Sequence, residues 1–245
     1  LTTVINCYTI FKKINLSGGK NMIGIIGAMD VEVRGIVTNI AEPVKNTVGN
    51  IEFTSGTLYG KEVVCAMCNP GKVNAAMCAQ IMILKYNPEI IINSGVAGSL
   101  TDSLRVFDVA IAKNVVQHDS DLTAFGSKKG YIEGPDRIFF ECDERAVKLL
   151  EKTCTGENYL VGTIATGDIF VSEERVKAKI KNKFGAIACE MEGGAIAHVC
   201  FMNNVKFAVI RIISDGSSNV DYVTFKKESS EQSVNLLKEF IKMYE

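Results

Sequence analysis

Small residues and carboxylates recur just after the apolar runs of this chain. Ile23–Ile26 leads into Gly27-Ala28-Met29-Asp30-Val31-Glu32, and Ile90–Ile92 into Asn93-Ser94-Gly95-Val96-Ala97-Gly98. Leu160–Ala165 leads into Thr166-Gly167-Asp168-Ile169-Phe170, Ala186–Cys189 into Glu190-Met191-Glu192-Gly193-Gly194, and Phe207–Ile213 into Ser214-Asp215-Gly216. A rim of that composition suits a hydroxyl-rich or basic ligand and offers little cationic character. Each acid also has an ordinary explanation. Glu32 could favour a helix dipole from a first turn, Asp215 could cap a helix, and Glu190 and Glu192 could be surface charges. Their shared placement at run ends favours the functional explanation over the ordinary ones.

The elements that must position them follow from hydrophobic pattern. Strand-length apolar runs fall at Ile23–Ile26, Glu52–Leu58, Val63–Met67, Ile90–Ile92, Val109–Ala112, Leu160–Ala165, Ala186–Cys189 and Phe207–Ile213. Several are continuous, as in strands covered on both faces. Helix-length amphipathic segments lie near Val31–Ile40, Lys72–Tyr86, Glu144–Cys154, Glu173–Lys183, Met191–Asn203 and Thr224–Tyr244. Strands alternating with helices predict an α/β fold, a single domain with a central sheet flanked by helices on both sides. The stretch 44–67 holds strands with no helix between them, so the sheet is expected to be mixed. Ligands of open α/β sheets gather beyond the carboxyl ends of strands, where the rim residues stand.

Composition excludes several classes. The 245 residues carry 27 basic and 28 acidic side chains, a net charge of -1, so no nucleic-acid footprint is expected. Mean hydropathy is +0.15 and no apolar run reaches the length of a membrane span. The 8 cysteines are scattered, and reduced thiols of a cytoplasmic protein are the expectation. Cys65-Ala-Met-Cys68 has zinc-like spacing but no second pair or nearby histidine, so no metal is expected. Gly24-Ile25-Ile26-Gly27 lacks the glycine spacing of a dinucleotide fingerprint. Residues 1–21 are expected to be an extension outside the fold, with the domain running from 22 to 245.

The blocks GIIGAMDVEV (24–33), GKVNAA (71–76), INSGVAGSL (92–100), HDSDLTAFG (118–126), TGDIF (166–170), ACEMEGGAIAHVC (188–200) and RIISD (211–215) resemble one family in order and spacing. That family is the 5′-methylthioadenosine/S-adenosylhomocysteine nucleosidases, of the purine nucleoside phosphorylase-like superfamily. The resemblance runs from about Met22 to the C-terminus. It implies hydrolysis of the N-glycosidic bond between adenine and a 5′-thio-substituted ribose, through an oxocarbenium-like sugar, with no cofactor. It implies that Asp215 is the general acid toward purine N7, that Glu32 activates water, and that Glu192 holds the ribose hydroxyls. For Asp215 to donate a proton near neutral pH its pKa must be raised, as burial and neighbouring carboxylates would do.

The same resemblance implies adenine stacking on Phe170 and backbone hydrogen bonds from Val171. Met191 would pack under the ribose, and Ala97 and Gly98 would let backbone approach the purine. Glu190, Ser214 and Arg211 join the substrate-binding set, and an apolar pocket for the thio group is expected from Met29, Pro70, Leu122, Phe125 and Phe225. In this family the segment bearing Leu122 and Phe125 serves the partner's site, which implies a homodimer. Val96, Ser127 and Glu133 depart from common members, which bears on the breadth of 5′-substituents. Two readings of the same fold compete. A phosphorylase would need arginines and amides for phosphate, where this chain puts Asp30 and Glu32. An aminodeoxyfutalosine nucleosidase would share the adenine and ribose contacts.

Overall fold

The central strand is β1 (Ile23–Gly27), a short run in which every residue is buried. It pairs in parallel with β4 (Lys61–Met67) on one side and β5 (Ile90–Ser99) on the other. The computed structural model describes residues 21–214 and 222–245, and the side chains of all of these except 222–227. Residues 1–20, Asp215 and the side chain of Phe225 therefore lie outside the described residues.

On the β4 side, β3 (Ile51–Leu58) and β2 (Ala41–Val48) add antiparallel. On the β5 side come β10 (Lys206–Ile213), β6 (Val109–Gln117), β8 (Tyr159–Thr166) and β9 (Ala186–Glu190). β5 pairs with both β10 and β9, so β5, β10, β6, β8 and β9 close into a ring. The short β7 (Phe139–Glu141) hangs on β6. The sheet is thus mixed, and its antiparallel pairs include β10–β6 and β5–β9 as well as the early hairpins. Six described helices cover it: α1 (Asp30–Val37), α2 (Lys72–Tyr86), α3 (Glu144–Thr153), α4 (Glu174–Phe184), α5 (Gly193–Met202) and α6 (Tyr222–Met243). α2 packs on α5, while α1 and α3 pack on α6. Asp143 caps α3 by accepting from the Ala146 N–H at 2.9 Å.

The core is built from these continuous runs, with Ile23, Ile90–Ile92, Val109–Ala112 and Val209 fully buried. The seven described cysteines pack as buried free thiols. No described helix is long and apolar enough to cross a membrane. Two departures from pattern matter for the site. β5 does not stop at Ile92 but continues through Asn93-Ser94-Gly95-Val96-Ala97-Gly98 to Ser99. Small residues give no apolar signal there, yet β10 pairs as far as Ala97 and β9 takes Gly98 and Ser99. β2, mostly exposed, and the three-residue β7 lack the hydrophobic pattern by which strands are read.

Candidate active site

Glu32 is the third residue of α1 and folds back over the helix start. Its Oε2 accepts from the N–H groups of Ala28 at 2.7 Å and Met29 at 2.8 Å, and its Oε1 from Val96 at 3.3 Å. These bonds satisfy donors that the first turn of a helix leaves open. Two glycines make the room. A Cβ on Gly95 would stand 2.8 Å from Glu32 Oε1, and one on Gly27 would stand 3.0 Å from Glu32 Cβ. Burial pushes the Glu32 carboxyl above the ordinary range, against the lowering influence of the Met29 N–H and the Arg211 charge.

Glu190 ends β9, and its carboxylate is fully engaged. Oε2 accepts from the N–H groups of Glu192 at 3.0 Å and Gly193 at 2.7 Å, and from Arg211; Oε1 accepts from the Thr166 hydroxyl. Arg211 is 1% exposed and also donates to Asn93 and to the Ile210 carbonyl. These bonds offset the burial of the pair and leave, among the described residues, the Arg211 Nε without a partner. Glu192 holds the N-cap position of α5 without a side-chain capping bond, and stays buried. Its Oε1 accepts from the Gly71 N–H at 2.9 Å, and Arg211 stands 4.0 Å away. Burial, then the Glu190 charge, raise its pKa to about 7 against the pull of Arg211 and Gly71.

A cavity of about 780 Å³ opens over these groups, a size that suits a small organic ligand. Of the residues singled out by sequence, Met29, Glu32, Pro70, Ala97, Gly98, Phe170, Val171, Glu190, Met191, Glu192 and Ser214 line it. Ser214 is pinned to the Ala97 carbonyl by its N–H at 2.9 Å. Arg211 does not line the cavity. It stands behind Glu190, where its two terminal nitrogens hold β5 and β9 together. Leu122, half-buried, precedes a 3₁₀ turn (Thr123–Phe125) that ends on Phe125, 87% exposed, and neither lines the cavity of its own chain. Among the described residues no group of three or more His, Cys, Asp or Glu side chains is placed to hold a metal ion.

Several residues of the site received no role in the sequence reading. Asn93 links Arg211 to β1 by donating to the Ile26 carbonyl at 2.9 Å. Thr166 bridges Glu190 and the Gly194 N–H, the latter at 2.6 Å. Ser229, Ser230 and Ser233 bring hydroxyls from α6 to the cavity wall. A polar residue directly after an apolar run, as at Asn93 and Thr166, was the available signal; the α6 serines look like ordinary surface helix positions.

Carboxylates at strand ends over a nucleoside-sized cavity, on a mixed sheet closed by β5, define a class, and residues 22–242 match the family model of the phosphorylase superfamily. Within it, the chain is 42% identical over 222 residues to the 5′-methylthioadenosine/S-adenosylhomocysteine nucleosidase of Bacillus cereus strain G9842, covering 88% of this chain and 96% of that one. The nucleosidase of the same name from Neisseria meningitidis, solved in complex with methylthio-immucillin-A, superposes with a TM-score of 0.86 at 30% identity, over 91% of this chain and 99% of that one. A futalosine hydrolase mutant of Helicobacter pylori strain 26695 superposes with a TM-score of 0.83 at 32% identity, over 90% and 98%. The chain belongs to the 5′-methylthioadenosine/S-adenosylhomocysteine nucleosidase family.

Proposed function

We propose that this chain hydrolyses the N-glycosidic bond of 5′-methylthioadenosine and S-adenosylhomocysteine, releasing adenine and the thio-substituted ribose, and that it also takes 5′-deoxyadenosine. The observation that carries the reading is the lining of one cavity by Glu32, Glu190 and Glu192 with no arginine among its described residues. A cationic sugar is stabilised by such a wall, whereas a phosphate dianion is repelled. Lys177, the one cation on the described lining, lies 3.1 Å from Glu174.

In this reading Glu32, held by three N–H groups beside β5, orients and activates water. Glu192 takes the ribose hydroxyls and its charge favours the developing cation. Asp215 protonates the leaving adenine; it follows Ser214, which lines the cavity. Phe170 stacks on the base, and Val171 offers its backbone to the purine edge. Glu190 and Arg211 act through Glu192 by fixing the turn into α5.

The second part of the proposal is assembly. The active unit is a homodimer in which Leu122 and Phe125 of one copy close the thio pocket of the other. What supports it is exposed apolar surface: Phe170 at 84% on the cavity lining, Phe125 at 87%, and Val73, Met77 and Leu84 forming one stripe along α2. Exposed apolar residues grouped on one face are a feature of interaction surfaces.

Incubating the protein with methylthioadenosine, with and without phosphate, tests the reaction. Adenine and free sugar at a phosphate-independent rate are expected; a sugar 1-phosphate would identify a phosphorylase. The futalosine hydrolase neighbour supports a second reading, hydrolysis of an aminodeoxyfutalosine-type nucleoside. A kcat/KM for that nucleoside well above the one for methylthioadenosine would favour it.

A further inference from the structure

The α2 helix begins without a cap of its own. Gly71 occupies the N-cap position at φ 102°, and no side chain of its own accepts from the first turn. Two acids from elsewhere take its leading donors. Glu192 Oε1 accepts from the Gly71 N–H at 2.9 Å, and Asp168 Oδ1 accepts from the Lys72 N–H at 2.7 Å. Asp168 is tied in turn, since its N–H donates to Asp119 Oδ2 at 3.0 Å. The ring closes through Lys72, whose Nζ donates to Asp119 Oδ1 at 2.8 Å. Three elements meet in it: the start of α2, the end of β6 and the end of β8.

We propose that Lys72, Asp119 and Asp168 form a positioning clamp that holds the Gly71 N–H on the Glu192 carboxylate, and so governs the protonation state in which Glu192 meets substrate. The inference rests on the role proposed for Glu192. The left-handed backbone of Gly71 has no stiffening of its own, and a Cβ there would press on Asp168 Oδ1 at 3.2 Å. The loop is therefore held from outside. Lys72 and Asp119 are 20% and 17% exposed, so solvent screens their attraction less than at a free surface. Burial opposes the Asp119 charge, but the Lys72 hydrogen bond and the Asp168 N–H hold its pKa below the ordinary value. A second arm runs from Lys72 Nζ to Gln117 Oε1 at 3.3 Å, while Gln117 donates to the Gly194 carbonyl of α5 at 3.3 Å.

The charged and titratable groups facing Glu192 among the described residues are Glu190 from β9, Arg211 from β10, Glu32 from α1 and the Cys68 thiol after β4. Two of these are carboxylates, so a Glu192 that loses the Gly71 N–H binds its proton more tightly. An ionised Glu192 is what the ribose hydroxyls and the sugar cation require. Loosening the clamp thus moves the acidic limb of the rate profile to higher pH.

The experiment is the pH profile of kcat/KM for methylthioadenosine in Lys72→Met, Lys72→Arg and Asp119→Asn, with Tm measured alongside. Lys72→Met is expected to lower kcat/KM roughly 10- to 100-fold, the cost of misplacing a reacting group, and to shift the acidic limb upward. Lys72→Arg keeps the cation and should recover most of the loss. Asp119→Asn keeps the shape of the carboxylate, so it carries the same expected shift should Lys72→Met fold poorly. In a Glu192→Gln background the Lys72→Met loss should shrink to within roughly threefold, as coupled residues do. An unshifted acidic limb, or an equal loss in both backgrounds, overturns the clamp while leaving Glu192 in place. A Glu192→Gln variant with wild-type turnover removes the role of Glu192 and the clamp with it.

Discussion

The inner wall of the cavity and its outer rim are built on opposite rules. On the wall, Glu32, Glu190 and Glu192 are all at most 7% exposed, and their charges are met by backbone N–H groups and, behind Glu190, by Arg211 of the same chain. On the rim Phe170 presents its ring to solvent, as does Phe125, which is proposed to serve the rim of a second copy. Buried charge is tolerated where it is paired and hydrogen-bonded, and on the wall the partners among the described residues come from the same chain. Exposed aromatic area carries no such demand and is available for a second copy or a ligand. The difference separates bond cleavage, assigned to the wall, from recognition of the base and the 5′-group, assigned to the exposed aromatic rings.

The proposals for wall and rim can be broken separately. The largest effect is expected for Asp215→Asn, which keeps a hydrogen bond but cannot transfer a proton. Adenine release should fall by about 10²–10⁴ while nucleoside binding is retained, and near-wild-type turnover on methylthioadenosine would remove Asp215 from the mechanism. Glu32→Gln should follow with a loss on the order of 10²-fold, mostly in kcat, because water activation is lost while the amide still fits between Gly27 and Gly95. A change confined to KM would place Glu32 in binding instead.

The rim should respond more weakly and more selectively. Phe125→Ala is expected to raise KM for methylthioadenosine roughly tenfold, within what an aromatic wall contributes, and to affect adenosine less. Mixing Phe125→Ala with Asp215→Asn subunits sharpens this, since a heterodimer pairs one site carrying both defects with one carrying neither. Activity should partly return; no recovery after verified subunit exchange would confine Phe125 to its own chain.

The smallest effect concerns stability. Burial raises the pKa values of Glu32 and Glu192 above those of an unfolded chain. Both carboxyls therefore bind protons more tightly when folded, and their contribution is fully present below the unfolded pKa. It is lost as pH rises through the folded value, about 7 for Glu192. Between about pH 5 and pH 8 the unliganded protein should lose a few degrees more in Tm than its Glu192→Gln variant. Parallel Tm curves would show that the Glu192 carboxyl is not under strain in the fold.

Much of this division was legible in sequence. The continuous runs around Ile23, Ile90 and Val209 mark buried strands by themselves, and carboxylates just past such runs mark a rim, because the carboxyl ends of parallel strands are where loops converge. The order of the motif blocks identified the family, and 11 of the residues singled out in advance line the cavity. β2 and β7 were hidden because an exposed or three-residue strand has no distinctive pattern.

What only the tertiary structure decided is how each acid is held. Nothing in the local sequence says that Gly95 is small so that Glu32 can lie against β5, or that Gly71 turns its N–H toward a glutamate 121 residues away. Arg211 reads as a cation near a ligand, and the fold makes it the internal counter-charge of Glu190. Hydrophobic period and residue type are local properties of a chain. Desolvation and charge pairing depend on which distant segments meet, so the types of the acids belong to the sequence and their protonation to the fold.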